Sequence, residues 1–336
     1  MRDNDETYVA QNIDIFCCPQ CGGGLTYRKD MFSCHSCHKD YPVIDGIPSL
    51  FCRNQWDSLE EDVTDEIKSF YEENPFPNYD GVDDVASLKG RLRRGNLAKL
   101  LDDQVPFGAR ILECGCGTGQ LSNILSIDKR TVLGTDICIN SLRMANRFKH
   151  QHDLRSCYFY QMNLFRPCFK PKTFDLVISN GVLHHTSNPF LAFKSISNLV
   201  KPNGYIVIGL YHKYGRLATD LRRTIFNVTG DKLKWLDRRT TNEDINSVVR
   251  NTWFLDQYKN PHESKHTVGE ILRWLDSTGF EFIRAIPKTV PFSYESVRLF
   301  KPDKLGNVFQ RLIVNIGMIF SGHREGGFFV VVAKKK

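Results

Sequence analysis

The chain has 336 residues, 41% hydrophobic and 25% charged, with a formal net charge of +7. This length holds a full α/β core plus additions, and the balance is ordinary for a soluble globular protein. No run of about 18 or more apolar residues occurs, so no membrane-spanning helix is expected. The polar start, Met1–Glu6, is no apolar signal region. Eleven cysteines spread along the chain suit a reducing cytoplasm and metal ligation better than a disulfide framework. The modest positive charge permits an anionic partner without requiring one.

The first motif is Cys18-Pro19-Gln20-Cys21 with Cys34-His35-Ser36-Cys37. Each C-x-x-C sets two thiolates on one tight knuckle, and two knuckles joined by a hairpin can close a tetrahedral site for structural zinc. Cys17 and His35 stand beside this set as alternatives. Gly22-Gly23-Gly24 relieves the turn and Leu25-Thr26-Tyr27 reads as the outgoing strand. With Tyr41–Leu50, the segment resembles the short zinc-ribbon proteins that act as activating partners of RNA and protein methyltransferases. The resemblance covers about residues 12–52 and implies a docking or positioning role.

Residues 55–80 read as a short helix over about 57–71 running into an aromatic loop, where Pro75 and Pro77 bar helix and central strand. Tyr71 and Tyr79 either line a cofactor site from this segment or belong to a packed linker. Strand–helix pairs then follow. Arg110–Glu113 is a strand and Gln120–Leu125 helix-like; Val132–Asp136 is a strand. Ser141–His150 is a helix capped by Asn140 or Ser141. Cys157–Gln161 and Phe174–Ser179 are strands, Pro189–Val200 a helix, Lys201–Gly204 a turn and Tyr205–Leu210 a strand. Such alternation predicts a parallel, doubly wound α/β sheet.

Between the first strand and helix lies Glu113-Cys114-Gly115-Cys116-Gly117-Thr118-Gly119, and the second strand ends in Asp136. Glycines at such a turn admit a ligand close to the backbone, and the acid can accept from ribose hydroxyls. The leading Glu113 disfavours a pyrophosphate and suits a cationic ligand. The segment closely resembles motif I of class I S-adenosylmethionine-dependent methyltransferases. That resemblance implies a Rossmann-like seven-stranded sheet. It also implies cofactor contacts from Glu113, Gly115, Cys116, Gly117, Gly119, Asp136 and Ile137, and from Met162, Asn163 and Leu164, where Asn163 replaces the usual Asp. Asn180 and Gly181, in Asn180–Thr186, border the methionine moiety, and Tyr71 covers the site.

Residues 211–266 are basic and aromatic and read as an inserted helical cap. Thr267–Ser277 is a helix with Thr267 as N-cap and Glu270 as its capping-box partner. Phe280–Ile286 and Gly327–Ala333 are the closing strands, and Phe309–Phe320 reads as an internal packing helix. The expected division is 1–54 ribbon, 55–95 linker and covering segment, 96–210 core, 211–266 cap and 267–336 the rest of the core. His184, His185, His262 and His266 are the general-base candidates, and Tyr211, Gln257, Tyr258 and Glu263 the substrate contacts. The expected activity is methyl transfer to an O-, N- or C-nucleophile of a small or medium-sized metabolite. An RNA methyltransferase using ribbon and cap for docking is the alternative, and a non-catalytic cofactor-binding scaffold a third reading.

Overall fold

The structure, a computed structural model, describes residues 3–55, 62–242, 246–291, 298–321 and 327–336. A small antiparallel sheet comes first, with strands β1 (Leu25–Arg28), β2 (Met31–Cys34), β3 (Asp40–Ile44) and β4 (Ile47–Pro48) in that order. The main sheet has seven strands: β5 (Arg110–Cys114), β6 (Thr131–Asp136), β7 (Cys157–Gln161), β8 (Phe174–Asn180), β9 (Val200–Tyr211), β10 (Phe280–Ile286) and β11 (Phe328–Lys335). Its order is β10-β11-β9-β8-β5-β6-β7. β5 to β9 run parallel, and β11 is antiparallel to both neighbours. The middle strands read as short apolar runs because both faces are covered: Ile111, Leu112, Val132, Leu133, Val177 and Ile178 are fully buried. The strand order reverses between β8 and β5, which opens a crevice at their carboxyl ends.

The four-cysteine segment does not hang free of this sheet. The Cys17 N–H donates to the Cys168 carbonyl at 2.9 Å and the Lys170 N–H to that of Ile15 at 2.8 Å. Phe16 is fully buried, with Phe32 on one side and Tyr160 and Phe169 on the other. One hydrophobic core therefore runs from the small sheet into one face of the large one. The helix Asp3–Gln11, not expected from the sequence, joins it through Tyr8 stacked on Tyr158 and a buried Asp5–Lys149 ion pair.

Several boundaries move for local reasons. The helix expected to reach Val200 ends at Ser197, and β9 already begins at Val200. Lys201–Gly204 is thus no turn between elements but a bulge within the strand, where pairing with β8 slips and Asn203 takes a left-handed φ of 64°. The helix Ile139–Gln151 is capped by neither Asn140 nor Ser141; the Cys138 thiol accepts from the Ser141 N–H. The helix expected over about 57–71 is described as Thr64–Glu73, and residues 57–61 lie outside the described residues. Helices Val85–Leu92 and Asn96–Gln104 follow it unannounced. The inserted segment contains helices Leu217–Thr229, Arg238–Thr241 and Ser247–Phe254, then a π-helical turn, Leu255–Lys259, around its own cluster of Phe226, Phe254 and Tyr258. The helix Val308–Ser321 is not the internal packing helix expected, because its apolar face points outward. Among the described residues no helix is long and apolar enough to cross a membrane.

Candidate active site

The turn after β5 is built by three glycines in left-handed conformation, Gly115, Gly117 and Gly119, with φ of 71°, 52° and 71°. A side chain at Gly115 would strike Val182, and one at Gly117 would strike the Phe76 carbonyl. That carbonyl belongs to a segment laid over the turn. The Thr118 hydroxyl donates to the Pro77 carbonyl, Gln120 Nε2 to that of Asn78 at 2.8 Å, and the Tyr79 hydroxyl to that of Thr118 at 2.9 Å. Just before it, the Glu72 carboxylate accepts from the N–H groups of Ile139 and Asn140 at 2.8 and 2.9 Å, the free donors at a helix start. Tyr79 therefore braces the turn from behind rather than facing a ligand.

Beneath this segment is a cavity of about 410 Å³ at the carboxyl ends of the parallel strands. Of the expected cofactor contacts, Tyr71, Glu113, Gly115, Cys116, Gly117, Asp136, Ile137, Met162, Asn163, Leu164, Asn180 and Gly181 line it. Gly119 does not; a side chain there would meet Ala145 and Phe159 within 2.7 Å, so its bareness serves helix packing. Asp136 Oδ2 accepts from the Gly117 N–H at 2.8 Å and Oδ1 from the Cys138 N–H at 2.9 Å. Burial outweighs these bonds and pushes its carboxyl up to about 6. Glu113 accepts from the Ser122 hydroxyl at 2.5 Å, and burial pushes it up to about 7. Asn163 is engaged differently from expectation. Its amide oxygen already accepts from the Phe165 N–H at 3.0 Å, and its nitrogen donates to the Cys52 carbonyl and to Asn54 Oδ1 at 2.9 and 2.8 Å.

The other end of the cavity is polar, lined by Tyr71, His185, Tyr211, Asp256 and Gln257. The Tyr71 hydroxyl donates to Asp256 Oδ1 at 2.9 Å; Gln257 Nε2 donates to Asp256 Oδ2 at 2.9 Å and to the Tyr211 hydroxyl at 2.7 Å. Burial, with Asp256 adding to it, holds the Tyr71 hydroxyl well above its ordinary range, so it stays a proton donor. His185 Nδ1 lies 2.8 Å from the His262 carbonyl, which fixes that nitrogen as the protonated one. Burial holds His185 below its ordinary value and therefore neutral.

The remaining candidates stand elsewhere. His184 is fully buried between His185 and Tyr211, with neither ring nitrogen partnered among the described residues. His262 offers its carbonyl to His185, and its ring does not line the cavity. His266 is held by Glu270 at 3.0 Å and the Ser264 hydroxyl at 2.9 Å. Glu263 is no cavity wall: it pairs with Arg216 at 2.5 Å and Arg223 at 2.8 Å, and they hold its carboxyl below the ordinary range although burial opposes this. Tyr258 donates to Asp237 inside the cap. The charged residue of the lining without an assigned role in the sequence is Asp256. Adjacent residues of a regular helix face different ways, whereas the π-helical turn brings Asp256 and Gln257 to the same cavity. Its signal was its place in the polar, aromatic run 253–267.

The thiolate positions of Cys18, Cys21, Cys34 and Cys37 lie within 4.8 Å of one another. The Tyr41 hydroxyl lies 3.1 Å from Cys18 Sγ, and the Ser36 N–H donates to Cys34 Sγ at 3.4 Å. Cys17 turns away toward the Pro167 carbonyl. The four sulfurs have the grouping of a ribbon metal site.

The family model described as a methyltransferase domain matches residues 112–208. An uncharacterised protein of Synechococcus sp. is 24% identical over 198 residues, 52% of this chain and 48% of that protein. The ubiquinone biosynthesis O-methyltransferase of Photobacterium profundum is 29% identical over 100 residues, 30% of this chain and 43% of that one. The chain thus spans about half the length of these relatives. The solved structure of PKMT2 from Rickettsia typhi overlays with a TM-score of 0.50 at 12% identity, covering 71% of this chain and 52% of that one, a likeness of fold alone. The chain therefore carries a methyltransferase domain over residues 112–208, set in the seven-stranded sheet and preceded by a four-cysteine module of zinc-ribbon geometry.

Proposed function

We propose that this chain transfers a methyl group from S-adenosylmethionine to a small or medium-sized metabolite. One observation carries the reading: three carboxylates, Glu113, Asp136 and Asp256, and no Lys or Arg, line the cavity among the described residues. Such a wall repels phosphate and suits a ligand bearing an ammonium and a sulfonium. In this reading residues 1–54 form the ribbon, 55–95 the covering segment, 96–210 with 267–336 the core, and 211–266 the substrate cap. Asp136 accepts from the ribose hydroxyls while its bonds to Gly117 and Cys138 hold it in place. Glu113, Gly115, Cys116 and Gly117 face the amino-acid end, with Asn180 and Gly181 opposite. The backbone from Met162 to Leu164 meets the adenine, since the Asn163 oxygen is already engaged.

S-adenosylmethionine, when bound, supplies a methyl carbon on a sulfonium, open to in-line attack by an acceptor's lone pair. The chain's own work is alignment and proton removal. With Nδ1–H donated to the His262 carbonyl, His185 presents a lone pair on Nε2 to a hydroxyl or ammonium of the acceptor. Tyr71, Tyr211 and Gln257, fixed by Asp256 and one another, orient that acceptor.

Purified protein incubated with methyl-labelled cofactor and cell extract tests the acceptor. Label is expected in small molecules; label lost entirely on ribonuclease treatment establishes the RNA alternative instead. Asp136→Ala is expected to weaken cofactor binding about 10- to 100-fold by calorimetry. The Asp136 carboxyl is ionised above about pH 6 and accepts; below it the group is protonated and loses an acceptor site. Glu113, raised to about 7, titrates in both proteins, so wild-type affinity should show a further fall through about pH 6 that the variant lacks. Equal pH profiles would refute the ribose assignment. His185→Asn should lower kcat roughly 10²- to 10⁴-fold with cofactor affinity kept. An unchanged kcat removes His185 as the base.

We further propose that Cys18, Cys21, Cys34 and Cys37 hold a structural zinc, since four protein thiolates leave no open position. Because the ribbon and one face of the sheet share a core, stripping the metal should lower the Tm of the whole chain rather than melt a separate unit. Metal-free protein as purified, with a Tm indifferent to chelator, speaks against it.

A further inference from the structure

The helix Val308–Ser321 is amphipathic in the reverse sense to a packed surface helix. Phe309, Leu312, Ile313, Ile316, Ile319 and Phe320 are between 38% and 74% exposed. They recur at the i, i+3, i+4, i+7 spacing of a single face. The polar residues turn inward: Asn315 Oδ1 lies 3.0 Å from His212 Nε2, and Arg311 donates to the Gly306 carbonyl at 2.8 Å. Met318 is the helix's one buried side chain among the described residues, and it lies against Gly215. Two residues beyond Gly215 a second exposed apolar stripe begins, Leu217, Leu221 and Val228, on the helix Leu217–Thr229. Six large apolar side chains exposed on one face of one helix mark an interaction site.

The charge around the face says what covers it. Arg298, Lys301 and Lys304 are exposed just before the helix, and Lys213 is exposed beside its contact at His212. None of the four forms an ion pair among the described residues. A second copy docked on this face would set the same cations against one another across a two-fold axis. An anionic lipid surface pairs with them, at about 1 kcal/mol for each cation near the headgroups. The helix has 14 residues, about 21 Å, too short for a hydrocarbon layer about 30 Å thick.

We propose that the helix Val308–Ser321 lies in the interface of an anionic lipid layer, apolar face down, with Arg298, Lys301, Lys304 and Lys213 at the headgroups. The chain continues from this helix toward β11, whose Phe328 pairs with Tyr211 and lines the cavity beside it. The inward side of the helix, through Asn315, meets His212, the residue after Tyr211 at the polar end of the cavity. The proposal stands apart from the methyl-transfer reading, because its test reads lipid binding alone.

Full-length protein is mixed with vesicles of phosphatidylglycerol and phosphatidylcholine, or of phosphatidylcholine alone, and floated on a density gradient. Binding is expected to the anionic vesicles, to weaken with added salt, and to fall at least about tenfold in Phe309→Glu/Ile316→Glu. Both positions are exposed, so this variant should keep the wild-type Tm and cofactor affinity. No flotation of the wild type at low salt overturns the proposal. So does a wild-type dimer in light scattering that the same variant turns into a monomer, since a second copy then covers the face.

Discussion

The cavity depends on Asp136, a half-buried carboxylate held by two backbone N–H groups, one on each oxygen. One comes from the glycine turn after β5 and the other from the start of the helix after β6, so a single side chain fixes the distance between two loops. Without it the half-buried Gly117 N–H would lose its one protein partner among the described residues. Its raised pKa measures the opposing cost of keeping a charge there. A cationic ligand reduces that cost, and a protonated Asp136 does so equally well while giving up an acceptor site. Ligand and proton therefore compete for the same relief, and Glu113, raised to about 7 nearby, stands under the same constraint.

The far wall is held by charge of the other sign, kept out of the cavity. Arg216 is fully buried; it bonds Glu263 and Gln257 and lies 3.7 Å from the Tyr211 ring. A buried pair of this kind is weak evidence for stability, because desolvating both ions offsets much of their attraction. Its geometric effect is plainer. Arg216 occupies the Gln257 oxygen and so turns the Gln257 nitrogen toward Asp256 and Tyr211. The cation is spent on orienting the wall from behind, and the cavity keeps its acidic lining.

Strands β5 to β8 were legible because each is a short apolar run ended by a glycine, an acid or an amide, and the order of such runs is local information. The glycine-turn end of the cavity was legible for the same reason: Glu113 to Gly117 and Asp136 lie at the carboxyl ends of β5 and β6. The cap end was not. Glu263 and Tyr258 look like good substrate contacts in a polar run, but Arg216 and Asp237 claim them, and nothing in the run names those partners. Asp256 reaches the cavity through a π-helical turn, which has no sequence period of its own to detect. Likewise the period of Phe309–Phe320 announces an apolar face but not its direction. That direction is set by where Asn315 finds His212, more than 100 residues away in the chain.

The four-cysteine module acts on the cavity through contacts that its motif does not advertise. Ser49, on its outgoing segment, donates to Gln161 at 2.5 Å, and Gln161 in turn donates to the Ile137 carbonyl at 2.9 Å. Ile137 is the residue after Asp136. A few positions on, Asn163 is tied to Cys52 and Asn54. Both loops at this end of the cavity are thus braced from the ribbon side, by side chains at the end of β7 and just beyond it. A knuckle that loosened would release Ser49 and Cys52 together, since β3 and β4 carry the chain from Cys37 to them. The module thereby has a structural reason to be fused to this domain that requires no partner: it buttresses the wall against which the glycine turn and Asp136 are set.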